Sequence, residues 1–462
     1  LSDLPVLPPD FVFGVATASY QIEGAVREGG RGPSIWDTFS HTPGRVARGE
    51  TGDVACDHYH RYREDVALLR DLGVDSYRFS TAWPRVQPEG RGPANAAGLD
   101  FYDRLVDELL AAGVAPALTL YHWDLPQALE DAGGWRARDT AHRFADYASL
   151  VVGRLGDRVA RWITLNEPFC SAFIGHAEGR HAPGAREGTP ALAAAHHLLL
   201  AHGLAVSCLR DAGAGEVGIT LNPERITAVG DGEEEIAAAR RAETLRNLAF
   251  TDPILGARYP EWERETWGPL ADGSYRRDGD LAVIAAPLDF LGVNYYAPSR
   301  VAPAPRVEAD PARRTAWDVG AVAAGWPGAR TTEMGWPVVP STLTDLLTGL
   351  VERYPGLPPL YITENGSAEA DQVGPDGVVH DEGRVDYLRE HLGAVARAVD
   401  LGVDVRGYYA WSLLDNFEWA YGYDRRFGLV HVDYDTQTRT PKDSYHWYRR
   451  AIAGHRERSA RG

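Results

Sequence analysis

Lysine is nearly missing from this chain of 462 residues. Lys442 is the only one, and arginine carries the rest of the positive charge. A phosphate-binding P-loop and a Schiff-base lysine in the core both need an amine, so this scarcity counts against both. Cysteine is scarce too. Cys56, Cys170 and Cys208 are odd in number and far apart, which fits neither a disulfide framework nor a metal spacing. Reduced thiols in a reducing compartment are the expectation. No basic segment followed by an apolar core opens the chain at LSDLPVLPPDFVFG, so it does not read as a signal peptide. No apolar run is read as approaching the ~20 residues of a membrane span. Positive excess is absent as well. The net charge of −18 argues against nucleic-acid and anionic-membrane partners, which require clustered cations. These features together predict a soluble cytoplasmic protein with no cofactor.

Short apolar runs rich in β-branched and aromatic residues are plentiful. They occur at 11-FVFGVA, 74-VDSYRFS, 114-VAPALTLYH, 161-RWITLNE, 216-EVGITLN, 288-LDFLGVNYY, 359-PLYITEN and 405-VRGYYAWSLLD. Helical periodicity lies between them, at Tyr59–Leu72, Leu99–Ala112, Ala141–Leu155, Ala191–Ala212, Glu234–Phe250, Leu343–Tyr354, Val385–Leu401 and Tyr445–Ile452. Leu72-Gly73, Ala112-Gly113 and Leu401-Gly402 read as helix ends closed by a left-handed glycine. Eight strand–helix units predict an α/β fold, a single (β/α)₈ TIM barrel with long βα loops. The barrel is expected over residues 1–455, with a flexible tail at 456–462. Loops are expected at 23–57, 166–190, 252–287, 297–340 and 366–383, and 302–331 reads as irregular surface chain. An open doubly wound sheet is the alternative. The one G-x-G-x-x-G, 213-GAGEVG-218, follows a helix and precedes a strand, the reverse of a dinucleotide fingerprint.

Two of the runs end alike, in Ile-Thr-Leu-Asn-Glu-Pro and Ile-Thr-Glu-Asn-Gly. They place Glu167 at the end of strand four and Glu364 at the end of strand seven, on opposite sides of an eight-membered ring. Functional groups of a (β/α)₈ barrel sit at those C-terminal ends. A lone Glu at a strand end is more often a cap, but two opposed ones suit glycosidic hydrolysis, where one is protonated and the other ionised. Other strand ends supply Gln21 and Glu23, Arg78, His122 and Trp123, Asn294, Tyr295 and Tyr296, and Trp411 with Asp415–Trp419. Individually, a histidine here is more often a satisfied core group and a tryptophan more often packing. His58 with His60, and His196 with His197, lack the zincin spacing, so no metal is expected. Asp57 reads as an N-cap. Asn365-Gly366-Ser367 matches a glycosylation sequon but falls in the candidate pocket.

The chain resembles family 1 of the glycoside hydrolases, the β-glucosidases and their relatives. The likeness is carried by 11-FVFGVATASYQIEGA-25, 77-YRFSTAWPRVQPEG-90, 121-YHWDLP-126, 164-TLNEP-168, 292-GVNYY-296, 334-MGW-336, 361-YITENG-366 and 408-YYAWSLLDNFEWAYGYDRRFGL-429. The resemblance implies Glu167 as general acid/base and Glu364 as nucleophile, with Arg78 and Tyr296 holding the nucleophile ionised. Asn294 completes the candidate catalytic set. The candidate substrate-binding set is Gln21, His122, Trp123, Asn166, Trp336, Trp411, Glu418, Trp419 and Phe427. Asn166 is expected to bond the sugar 2-hydroxyl, and Gly366 to let the backbone turn away. The intact Glu418-Trp419 pair implies a neutral glycone rather than a 6-phosphate, and Glu167, where thioglucosidases of this fold carry Gln, implies O-glycosides. Phe169 departs from the Trp of many relatives and leaves the aglycone open. The expected activity is a retaining exo-β-glucosidase acting on small β-glycosides and cello-oligosaccharides, with β-galactosides and β-fucosides as further substrates. The alternatives are a transglycosidase using the same intermediate and a non-enzymatic sugar-binding barrel.

Overall fold

The computed structural model describes residues 5–305 and 314–461. Eight parallel strands close into a barrel in sequence order. They are Val12–Ala16, Ser76–Ser80, Ala115–Tyr121, Arg161–Asn166, Glu216–Leu221, Phe290–Asn294, Leu360–Asn365 and Val405–Trp411, numbered one to eight below. All eight fall on the expected runs. Each is nearly fully buried because both faces are covered, by helices outside and by side chains inside.

The barrel interior alternates bulk with its absence. Phe290, Tyr361, Tyr409 and Trp411 fill it with Ala16, Ala117 and Ile163. Glycines face the rings: a Cβ on Gly14 would stand 2.3 Å from the Tyr409 ring, and one on Gly218 2.7 Å from Phe290. Residues of the opposite parity, such as Trp162, Leu360 and Ile362, join the outer core against the helices.

Two strands break that parity at their ends. Strand four slips register between Ile163 and Asn166, and strand seven between Ile362 and Glu364. A bulge flips every later side chain to the other face. Tyr361 and Glu364, three residues apart, therefore both point inward, while Asn365 turns outward and donates to Tyr387 Oη on the helix Glu382–Asp400. Asn166 reaches the interior in the same way.

Several expectations need correction. The segment 302–331 is not wholly irregular. Ser299–Pro303 pairs with Ile226–Ala228 on one side and with Ala321–Ala324 on the other, forming a small three-stranded sheet; 306–313 lie outside the described residues. The final helix, Asp443–Ser459, runs past the expected boundary at 455, with Arg456 anchored on Asp75. Asp57 occupies the N-cap position of His58–Leu72, but its carboxylate bonds the side chains of His60 and Arg61 instead of a helix N–H. The helix Thr189–Asp211 is long and apolar enough to cross a membrane, although no such run was read from the sequence. Here 83% of its most apolar window is buried inside the protein. The segment 252–287 precedes strand six rather than following strand five directly, and carries three short helices of its own.

The lone lysine is buried. Lys442 Nζ bonds Asp415 Oδ1 at 2.6 Å and also bonds Asp371. Arg384 binds Asp371 and Asp381, and Arg426 binds Asp415 at 2.6 Å. Three cations and three carboxylates thus join the loops after strands seven and eight to the start of the last helix. Removing one partner of a buried pair strands the others. Lys442→Met is expected to lower the unfolding free energy by about 3–5 kcal/mol, measured by urea denaturation.

Candidate active site

The C-terminal mouth of the barrel opens on a cavity of about 720 Å³. Glu167 and Glu364 both line it, with His122, Trp123, Asn294, Tyr296, Trp336, Trp411, Glu418, Trp419 and Phe427. Arg78, Asn166 and Gln21 form the layer beneath and reach the cavity through their hydrogen bonds. Glu23 does not take part; it bonds Arg85 Nε at 2.9 Å and Tyr102 Oη at 2.6 Å.

The two carboxylates have different neighbours. Glu364 Oε1 accepts from an Arg78 guanidinium nitrogen at 2.6 Å, and Oε2 accepts from Tyr296 Oη at 2.7 Å. Arg78 also donates to Asn166 Oδ1 at 2.6 Å, Thr119 Oγ1 at 3.2 Å and the Thr363 carbonyl at 3.1 Å. Glu167 Oε1 accepts from Asn294 Nδ2 at 2.6 Å, and Oε2 from Cys170 Sγ at 3.0 Å. Asn294 is itself fixed, because its Oδ1 accepts from Thr363 Oγ1 at 2.8 Å.

Burial dominates the electrostatics. It pushes the Glu364 carboxyl up to about 7; the nearby Glu167 charge adds to this, while Arg78 and the Tyr296 hydrogen bond oppose it. The expectation that Arg78 simply holds this group low is corrected. Arg78 and Tyr296 fix where the charge sits, and dehydration beside a second carboxylate sets the proton affinity. Glu418 is pushed up to about 8, first by burial and then by the charges of Glu364 and Glu167. His122 is held neutral by burial and by Arg78.

His122 and Gln21 present unpaired polar atoms. Asn166 Oδ1 accepts from Arg78 and from Asn294, so its amide nitrogen must face His122 Nε2, at 3.1 Å. The neutral ring then carries its proton on Nδ1, which has no protein partner. Gln21 donates to Asn416 Oδ1 and the Phe417 carbonyl, both at 2.9 Å, and its Oε1 is buried without a partner. One buried donor and one buried acceptor are thus left for a ligand's hydroxyls.

Aromatic rings wall the same end. Trp419 lies 4.5 Å from Trp123 between ring centroids, and His122 stacks near-parallel to both Trp411 and Trp419. At the outer end, half-buried Trp336 packs on Tyr296 and Phe427. Trp123, Glu167 and Trp419 all adopt positive φ, of 81°, 45° and 52°. Such backbone is costly for non-glycine residues and concentrates at functional sites. Gly366 serves a purpose other than the turn expected of it. Its φ is not positive, but a Cβ there would stand 1.8 Å from the Trp411 carbonyl oxygen, so glycine lets strands seven and eight meet.

Other lining groups were not read from the sequence. His181 packs its ring 5.3 Å from Trp123. Cys170 bonds Glu167 and is itself bonded by Asn222, and the small sheet brings Ala321–Gly325 to the outer wall with Trp317 and Trp326. No spacing marks these positions, because they lie on loops that only the closed barrel brings together.

The model of glycosyl hydrolase family 1 matches residues 5–457. The chain is 50% identical to a bifunctional β-D-glucosidase/β-D-fucosidase of Bifidobacterium breve, over 98% of this chain and 99% of that one. It is 52% identical to thermostable β-glucosidase B of Thermobispora bispora, over 96% and 90%. A psychrophilic β-glucosidase from Micrococcus antarcticus superposes with a TM-score of 0.93 at 49% identity, over 98% of each chain. The chain belongs to glycosyl hydrolase family 1.

Proposed function

We propose that this chain is a retaining β-glucosidase that removes terminal β-D-glucosyl residues from small β-glycosides, with β-fucosides and β-galactosides as further substrates. One observation carries the reading. Two buried carboxyls at the ends of strands four and seven share a single cavity but not a single environment.

Glu364, gripped on both oxygens by Arg78 and Tyr296, is the nucleophile. It attacks the anomeric carbon and forms a glycosyl ester while the glycosidic bond breaks. Glu167 gives its proton to the departing oxygen. Once the ester forms, the negative charge of Glu364 is consumed, and Glu167 becomes the base that takes a proton from water. Water then attacks the anomeric carbon, releasing the sugar and restoring Glu364.

Glu418, His122 Nδ1 and Gln21 Oε1 supply donors and acceptors for a glycone, and Trp411 a face for its C–H surface. A third buried acid next to two others would oppose a phosphate, which supports a neutral sugar. A transglycosidase would use the same intermediate, but nothing in the cavity favours an alcohol over water as acceptor. Two matched carboxyls argue against a barrel that only binds.

Holding Glu418 in this company has a cost to folding. Its proton affinity in the folded state, near 8, exceeds the ordinary carboxyl value of 4.5. The folded protein then binds a proton that the unfolded chain releases. Its contribution is most favourable below the ordinary value and is lost as pH rises toward 8. Glu418→Gln is therefore expected to flatten the fall of Tm with pH. The variant should gain on the wild type between about pH 5 and 8, read by calorimetry, while losing glycone affinity. Glu364→Ala should lower kcat/KM on an aryl β-glucoside by more than about 10⁴-fold with the fold intact. Mass spectrometry should find one 2-deoxy-2-fluoroglucosyl group on the wild type and none on this variant. Glu167→Ala should slow hydrolysis about 10²–10⁴-fold, and added azide should restore turnover and yield a β-glycosyl azide. A variant indifferent to azide would refute the acid/base assignment.

A further inference from the structure

The thiol of Cys170 stands apart from the rest of the site. It lies three residues after Glu167, where the chain turns from strand four into a helix, and its backbone N–H bonds the Glu167 carbonyl at 2.9 Å. The side chain is 5% exposed and lines the cavity. Sγ lies 3.0 Å from Glu167 Oε2, and on its other side Asn222 Nδ2 donates to Sγ at 3.6 Å. The amide thus occupies the sulfur as acceptor, and the single S–H proton is directed at the carboxylate. Burial and the Glu167 charge raise the Cys170 thiol well above its usual range, so it stays a neutral donor.

The other groups around Glu167 are committed elsewhere. Glu364 and Glu418 face it with like charge. Arg78 is bound to Glu364 and Asn166, Arg246 to Glu224, and Arg180 to Glu178. Tyr296 donates to Glu364, and burial holds His122 and His181 neutral. Among the described residues, two side chains hydrogen-bond Glu167 directly. Asn294 is held as a donor by Thr363 at its far end. Cys170 is the other, its S–H donating to the second carboxyl oxygen.

We propose that Cys170, oriented by Asn222, is a positioning residue that sets the proton affinity of Glu167 between the two halves of the reaction. As donor it favours the ionised carboxylate, which the water step needs, and so limits how tightly the proton for bond cleavage is held. The inference rests on the assignment of Glu167 as acid/base.

The experiment compares Cys170→Ala and Cys170→Ser with the wild type. Losing a donor to the carboxylate favours the protonated form. In Cys170→Ala the alkaline limb of kcat/KM on a phenyl β-glucoside should therefore move up by about half a pH unit. With a dinitrophenyl β-glucoside, where breakdown of the glycosyl-enzyme limits, kcat on the acid side should fall about threefold, the same half unit expressed as a rate. Cys170→Ser, which keeps a donor, should return both limbs to the wild-type positions. Asn222→Ala, which leaves Cys170 in place, should shift them in the alanine direction and keeps the test open if Cys170→Ala does not fold. Superimposable pH profiles, or an equal loss at every pH with both substrates, would overturn the proposal and leave packing as the role of Cys170. The azide rescue of Glu167→Ala is read separately, so failure here and failure of the acid/base assignment are distinguishable.

Discussion

The site is organised around one buried guanidinium. Arg78 is fully shielded from solvent, and a cation in that position is tolerable only if every face finds a partner. It finds them on three other strands: Thr119 on strand three, Asn166 on strand four, and the Thr363 carbonyl with Glu364 on strand seven. Its planar fork spans the barrel end as a brace. The carboxylate it satisfies is therefore placed by the same contacts that make the arginine stable, and the nucleophile's position follows from closure of the barrel.

The two bulges make that brace possible. Without the slip before Asn166 and the slip before Glu364, strict alternation would turn both side chains outward to the helices, as Asn365 in fact turns. One extra residue in each strand re-aims the terminal groups inward while the strands below keep their packing. Gly366 continues the same logic. Strand seven, having delivered Glu364, passes against the Trp411 carbonyl at a distance that excludes any side chain, so nucleophile and aromatic platform are held together by backbone contact.

How much of this the sequence discloses depends on the range of the interaction. The eight strands were legible because each is a local run of apolar residues between amphipathic helices. Glu167 and Glu364 stood out because each ends such a run beside an asparagine. Strand parity alone, however, would point Glu364 the wrong way, since a bulge has no local signature. Cys170, Asn222 and His181 gave no signal. Their relevance comes from contacts between the ends of different strands and loops, at sequence separations that periodicity does not sense. The strand at 321–324 was missed for a similar reason: a short, alanine-rich edge strand becomes a strand only when Ser299–Pro303 lies beside it. The apolar character of Thr189–Asp211 went unread because its histidines interrupt the run, yet two of them are absorbed inside the protein by Asp280 and the Trp135 carbonyl.

Buried charge is handled in two opposite ways within the same molecule. Around Lys442, three carboxylates meet three cations, and Asp415 is held below its usual range by Lys442 and Arg426 despite complete burial. That network is balanced and ties down the loop that carries Glu418 three residues on. In the cavity, Glu364 and Glu418 are buried beside one another and beside Glu167, and both rise far above the ordinary carboxyl range even though Arg78 pairs with Glu364. The first arrangement favours stability; the second works against it. An imbalance of this kind persists only where a proton must be held and released near neutrality, and it can be sustained because the balanced network fixes the loop on which part of it sits.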